Sequence, residues 1–462
     1  MPLAIRYAGL QHADMSGSGR HDAITIWNAA VAAVDSEQLV RQSLSVDAHC
    51  LKICDQQIAL PDASHIEIVG AGKAGPGMAR GLEQILADLP STISWSGWIN
   101  VPDDCVDTLN QIRLHGARPA GLNEPTQAGV DGTTEILRRV SQLSPQDLCL
   151  VLISGGGSAL LPAPVSRISL KDKLSVTQFL AAAGATIQEL NAVRGRISAV
   201  KNGGLARACT ANRLCTLIIS DVIGDPLDVI ASGPTCTIQT TTGLGPLEVL
   251  RRFDPDLTRV PPSVVDAIRK PVDDAPPSCV VENHIIGNNQ LAVAAAARSA
   301  TALGYQVESW GSDNAGSASN LGRQLYNRMQ ELRQRATETG HRQCLLAGGE
   351  TTVQLCDESI RGRGGRNQEV VLGALAEHLQ FDSWDGLTLL SAGTDGEDGP
   401  TPSAGALSDA SLAAAVRKAG VDPLNFLRTN NAWPFFDQFD GLVNTGPTHT
   451  NVMDVQVGLI HP

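Results

Sequence analysis

The stretch IEIVGAGKAGPGMARGLEQIL (66–86) runs from a strand-like apolar segment through a glycine-rich turn into a helical pattern. Gly70, Gly72 and Gly75 fit the G-x-G-x-x-G fingerprint, in which backbone N–H groups meet a pyrophosphate at a helix N-terminus. The acid that a dinucleotide site needs about 20 positions further on is missing from ADLPSTISWSGWINV. Lys73 also stands inside the turn, not at its end as in G-x-x-x-x-G-K-[ST]. It therefore reads as a point charge aimed at an anion, with a ligand-free helix–strand contact as the bland alternative.

Other strand-end loops repeat this composition. LISGGGSALLP offers Ser154, Gly155, Gly156, Gly157 and Ser158 as an anion-binding nest. Ser158 as an esterase nucleophile is the weaker reading, because G-x-S-x-G is not met. NAVRGRISAVKNGGLA carries Arg194, Arg196 and Lys201; on a continuous helix 194 and 201 share a side and 196 diverges. Arg194 and Lys201 are the candidates for a substrate carboxylate or phosphate. In LIISDVIGDPLDVIASGPT, Asp221 follows a buried-strand pattern, where a carboxylate can take a proton, hold Mg²⁺ through water, or simply cap a helix.

RGRGGRNQEVV supplies Arg361, Arg363 and Arg366 before a helix, with Arg363 or Arg366 able to clamp phosphate oxygens bidentately. AGTDGEDGPT supplies Asp395, Glu397 and Asp398 without the spacing of an EF-hand. Asp395 is a candidate for substrate binding and, with Asp221, for a metal. The loops IGNNQ, with Asn288, and LAGGETT, with Gly349, Glu350 and Thr351, complete the candidate cofactor-binding set. Carboxylates opposite Lys and Arg are what metal-assisted phosphoryl transfer requires.

The elements that must position these loops alternate along the chain. Short Val/Ile/Leu-rich runs, each followed by a helical pattern, predict a doubly wound, mainly parallel α/β sheet covered on both faces. Proline is dense between 224 and 280, so that stretch reads as a connection. The expected organisation is a loose leader (1–20), an N-terminal Rossmann-like α/β domain (21–280) and a second α/β domain (281–462). CLLAGGETTVQL reads as two strands around a Gly-Gly bend, and LVNTGPTHTNVMDVQVGLI as a final strand pair. So many glycine loops at strand ends imply a polyanionic ligand in a large cleft, expected between the domains.

Composition narrows the function. Across 462 residues the net charge is −13 and aromatics make up 3%, which argues against nucleic-acid binding. No apolar run reaches membrane-spanning length and no signal peptide is visible, so a cytoplasmic protein without a membrane partner is expected. The 10 cysteines form no C-x-x-C pair and read as reduced, mostly buried thiols, and no zinc site is expected.

Taken together, VGAGKAG, SGGGSALL, RGRISAVKNGGLA, SDVIGDPLDVIASGPT, GGETTV, GRGGRNQE, AGTDGEDGPT and TGPTHTNVMD resemble the glycerate 2-kinase family, whose members often carry the older label hydroxypyruvate reductase. The resemblance spans roughly residues 25–460. It implies ATP- and Mg²⁺-dependent phosphorylation of D-glycerate at O2 and a second domain of the MOFRL type. It puts the family's active-site lysine on Lys73, its strand-end aspartate on Asp221 and its glycine-flanked arginine on Arg366. The implied partners are D-glycerate and a nucleotide, with room for a homodimer; an NAD(P)-dependent hydroxypyruvate reductase is the alternative. Two departures touch the expected pocket edge: LHGARPAGLNEP replaces a compact His-Pro loop, and His449 stands where glycine is usual.

Overall fold

The computed structural model describes residues 19–119, 121–122, 124–236, 243–270, 275–378 and 383–462. The chain forms two compact units, one of Ser36–Ser220 with Asp225–Ile286, the other of 19–35 with Asp221–Gly224 and Gly287–Pro462. This differs from a single boundary near 280. Helix Gly19–Ala33 buries Ile26 and Trp27, and Trp27 Nε1 donates to Ala392 O at 3.3 Å, so the helix belongs with the C-terminal sequence. The leader expected over 1–20 lies outside the described residues except for Gly19 and Arg20, which open this helix.

The first unit begins with a three-stranded antiparallel meander of β1 (Leu44–Asp47), β2 (Cys50–Ile53) and β3 (Gln56–Ala59). Its main sheet contains β4 (His65–Ala71), β5 (Ser94–Pro102), β6 (Ile112–Arg118), β7 (Leu148–Ile153), β8 (Arg213–Ile219) and β9 (Val280–Gly287), in the order β6-β5-β4-β7-β8-β9. The pairings from β6 through β8 are all parallel. Strands β4, β7 and β8 are buried almost throughout, as a sheet covered on both faces requires. The order reverses between β4 and β7, so the loops leaving these two strands lie at the switch point where doubly wound sheets bind ligands.

The second unit holds β10 (Gln306–Ser309), β11 (Gln343–Gly349), β12 (Leu387–Gly393), β13 (Gly405–Asp409), β14 (Leu442–Val443) and β15 (Asp454–Ile460), in the order β10-β11-β15-β12-β13-β14. Only β10 and β11 are parallel; the other pairs are antiparallel. Two expectations are corrected here. CLLAGGETTVQL forms one strand, because Gly348 and Gly349 continue the β11 ladder opposite Val455 and Asp454. The final pair is not a pair: β14 joins β13, and β15 lies between β11 and β12. Helices Ala318–Thr339 and Arg366–His378 cross closely because a Cβ at Gly322 would stand 1.9 Å from Val370 O.

Glu369, in the first turn of helix Arg366–His378, is 6% exposed and accepts a bond from Asn430 Nδ2 at 3.3 Å. Burial pushes its carboxyl up to about 7. A carboxyl raised on folding favours the folded state below its unfolded value and loses that advantage as pH climbs through about 7. Glu369→Gln is therefore expected to stabilise the protein by about 2 kcal/mol at pH 8 and to change little at pH 4. Urea melts of both proteins at the two pH values check this.

The ten cysteines are free thiols, five buried and five partly buried. Among the described residues no helix is long and apolar enough to cross a membrane.

Candidate active site

The turn after β4 and the loop after β7 are built into each other. Lys73 N donates to Gly155 O at 2.9 Å, and Ala74 N to Ser154 Oγ at 3.0 Å. A Cβ at Gly70 would stand 2.2 Å from Leu152 O, and one at Gly72 (φ 148°) 2.0 Å from Ser154 Oγ. Gly75 faces Val101 and Ile99 at 2.9 and 3.1 Å. Packing alone thus demands Gly70, Gly72 and Gly75, and Ser154 is occupied as a staple between the loops. The corner of the second loop is Gly156 (φ 79°), whose Cβ position lies 3.2 Å from Arg118 Nη2 and 3.9 Å from Lys73 Cγ. The side chains of two basic residues therefore pass the glycine corner, and Arg118, at the end of β6, is one that the sequence did not single out.

Beyond this corner, Ser158 gathers a second set of cations. Lys201 Nζ donates to Ser158 Oγ at 2.5 Å and to Ser232 Oγ at 2.7 Å; Arg194 Nη2 donates to Ser158 Oγ at 2.9 Å. The two hydroxyls are 3.1 Å apart. Helix Ile187–Arg196 ends before Lys201, so 194 and 201 meet through a turn and not along one helix face. Arg196 departs as expected and donates to Lys270 O. Ala231 and Ser232 both adopt left-handed φ (50° and 64°), a costly conformation that carries the Ser232 hydroxyl to Lys201.

Lys173 also belongs to this set. It is 4% exposed, its Nζ has no hydrogen-bond partner among the described residues, and burial together with the Arg194 charge lowers it to about 8. Lys201 is driven well below the usual lysine range by burial, then by Arg194 and Lys173. Burial also lowers Arg194. Among the described residues no carboxylate pairs with any of the three. A signal for Lys173 was present: it shares the buried face of helix Leu170–Ala182 with Val176 and Leu180, three and seven positions on, where an apolar residue is expected.

The second unit carries the opposite charge. Arg366 is gripped by Asp454, with Nε to Oδ2 at 2.6 Å and Nη2 to Oδ1 at 2.9 Å, while Nη1 reaches Glu350 Oε1 at 2.7 Å. Burial raises the Glu350 carboxyl; Arg366 opposes this, and the charges of Asp454, Asp221 and Asp395 add to it. Asp221 lies just past the end of β8, as expected, and accepts from Asn451 Nδ2 at 3.5 Å. Asp395 follows β12, its Oδ1 accepting from Glu397 N at 3.1 Å. Among the described residues no group of three or more His, Cys, Asp or Glu is arranged to hold a metal ion.

The remaining candidates in this unit have local structural work. Asn288 caps helix Asn289–Ala302 by accepting from Leu291 N at 3.1 Å. Gly349 (φ 136°) admits Asn314, whose backbone oxygen would stand 2.2 Å from a Cβ there. Thr351 is 3% exposed and its Oγ1 is without a hydrogen-bond partner among the described residues. Arg361 donates to Cys356 O; Arg363 donates to Pro400 O at 2.8 Å and lies over the Trp433 ring. His449 takes φ 58°, a left-handed conformation that glycine adopts at the least cost.

Comparison with known proteins places the chain among relatives of one family. A family model described as a domain of unknown function (DUF4147) matches residues 22–269, and the MOFRL family model matches 343–454. A glycerate kinase of Danio rerio is 36% identical over 95% of this chain and 97% of its own length. A putative hydroxypyruvate reductase of Agrobacterium vitis is 36% identical over 85% of this chain and 86% of its own. The crystal structure of glycerate kinase from Thermotoga maritima superposes with a TM-score of 0.80 at 32% identity, covering 96% of this chain and 99% of that one.

Proposed function

The chain belongs to the glycerate kinase family, and we propose that it transfers the terminal phosphoryl group of ATP, with Mg²⁺, to the 2-hydroxyl of D-glycerate, giving 2-phosphoglycerate and ADP. The observation that carries this reading is the set of basic residues Lys73, Arg118, Arg194 and Lys201 gathered around the glycine and serine loops that leave β4 and β7, in a protein of net charge −13. Cations reserved for strand-end loops suit a phosphorylated nucleotide and an acid substrate.

Within this reading Lys73, Asp221 and Arg366 form the catalytic set. Lys73 neutralises charge on the phosphoryl oxygens, and Asp221 takes the proton of the 2-hydroxyl. Arg366 keeps two of its five N–H donors after its bonds to Asp454 and Glu350, and these remain for an oxyanion. Arg194 and Lys201 take the acid substrate. The all-oxygen donors Asp221 and Asp395 fit Mg²⁺, which prefers one or two carboxylates supplemented by phosphate oxygens and water over a preassembled cage. Bound there, the ion would screen charge on the nucleotide phosphates.

The reductase reading takes its support from the name of the Agrobacterium relative. It is the weaker one, because packing accounts for the glycines of the dinucleotide-like turn. Incubation with D-glycerate, ATP and Mg²⁺ is expected to yield phosphate at O2, assigned by phosphorus NMR. Oxidation of NADH or NADPH with hydroxypyruvate, and no phosphorylated product, would reverse the assignment.

A further inference from the structure

Arg194 and Lys201 meet at Ser158, and buried Lys173 lies on helix Leu170–Ala182, whose Val176 and Leu180 pack in one core with Val193 of helix Ile187–Arg196; among the described residues none of the three has a carboxylate partner. Burying unpaired like charges is costly, and ordinary packing would replace such a lysine by an apolar residue. The surroundings instead add polarity: Ser158 and Ser232 present hydroxyls 3.1 Å apart, and Ser232 holds its place through two consecutive left-handed residues. Strain kept at a site where cations already repel one another points to a ligand that relieves both.

We propose that Lys173, Arg194 and Lys201, with the hydroxyls of Ser158 and Ser232, form a prebuilt seat for one small oxyanion, a carboxylate or a phosphoryl group, and that Lys173 sets its affinity. The anion supplies the counter-charge that the chain withholds. Its oxygens accept from the two ammonium groups and the guanidinium, and the serine hydroxyls turn to donate. The kinase reading is needed to name the acid as D-glycerate, not for the existence of the seat.

The test compares wild type with Lys173→Met, a change that removes the buried charge while keeping most of the chain's length. Calorimetric titrations use D-glycerate, orthophosphate, and a non-hydrolysable ATP analogue with Mg²⁺, each alone; melting curves are recorded with and without each. The variant is expected to melt about 2 °C or more above wild type without ligand. It is expected to bind D-glycerate or orthophosphate at least tenfold more weakly and to lose the thermal stabilisation that this anion gives wild type. A loss confined to D-glycerate assigns the seat to the acceptor's carboxylate; a loss for orthophosphate or the analogue assigns it to a phosphoryl group. The proposal is overturned if K173M binds all three as wild type does, if wild type binds neither small anion, or if the variant melts lower than wild type. Should phosphoryl transfer itself not be observed, a tenfold loss of orthophosphate binding in K173M would still uphold the seat.

Discussion

Lys73→Met is expected to lower kcat with D-glycerate and ATP by well over tenfold while the protein keeps its fold. The loop does not need the ammonium group to hold its shape. It is fixed by Lys73 N on Gly155 O, by Ala74 N on Ser154 Oγ, and by glycines whose positions admit no side chain. The variant therefore keeps the turn and loses one charge beside the Gly156 corner. Tenfold in rate is only about 1.4 kcal/mol, and one preorganised group facing developing negative charge typically supplies about 3 kcal/mol. Steady-state kinetics at saturating substrates, with a melting curve to confirm folding, decide the matter; unchanged turnover would remove Lys73 from the mechanism.

Arg366→Met should lower stability as well as turnover. Arg366 is the partner of Asp454, whose side chain is fully buried, and of Glu350. Without the guanidinium, Asp454 is an uncompensated carboxylate at the start of a central strand. Breaking a buried pair in this way costs about 3–5 kcal/mol. A second change, Asp454→Asn, removes the stranded charge and should recover much of the loss, so R366M/D454N is expected to melt above R366M. Guanidinium melts of the single and double variants test both the loss and its recovery. If R366M melts with wild type, the bond to Asp454 contributes nothing to the fold.

How much of this could be read from the sequence depends on whether the governing interaction is local. The strands of the first sheet were visible because a parallel sheet buries both faces, so HIEIVGA, LCLVLI and RLCTLII appear as unbroken apolar runs. The meander β1–β3 was not, because its two-residue turns use Ala48-His49 and Cys54-Asp55, with left-handed φ at Ala48 and Cys54, where glycine or asparagine would have announced a hairpin. Lys73, Asp221, Arg194 and Lys201 were legible from residue type at a strand end or within a glycine loop. Lys173 showed only as a lysine on the apolar face of a helix outside the glycine loops, and Ser232 matters through a backbone conformation that residue type does not announce. The glycines of the β4 turn were legible as necessary, but the necessity comes from Leu152 and Ser154, some 80 residues away in the chain.

Strand β15 lies between β11 and β12, and Thr450 Oγ1, just before it, donates to Val34 O at 2.6 Å. During synthesis, helix Gly19–Ala33 emerges more than four hundred residues ahead of this strand. The helix waits for helix Asn289–Ala302 and then for its sheet, with Ile26 and Trp27 in need of shelter, whereas the first unit is complete in sequence once Ile286 has emerged. Translation order thus makes the second unit the last to mature, with its first helix made long before the partners that bury it.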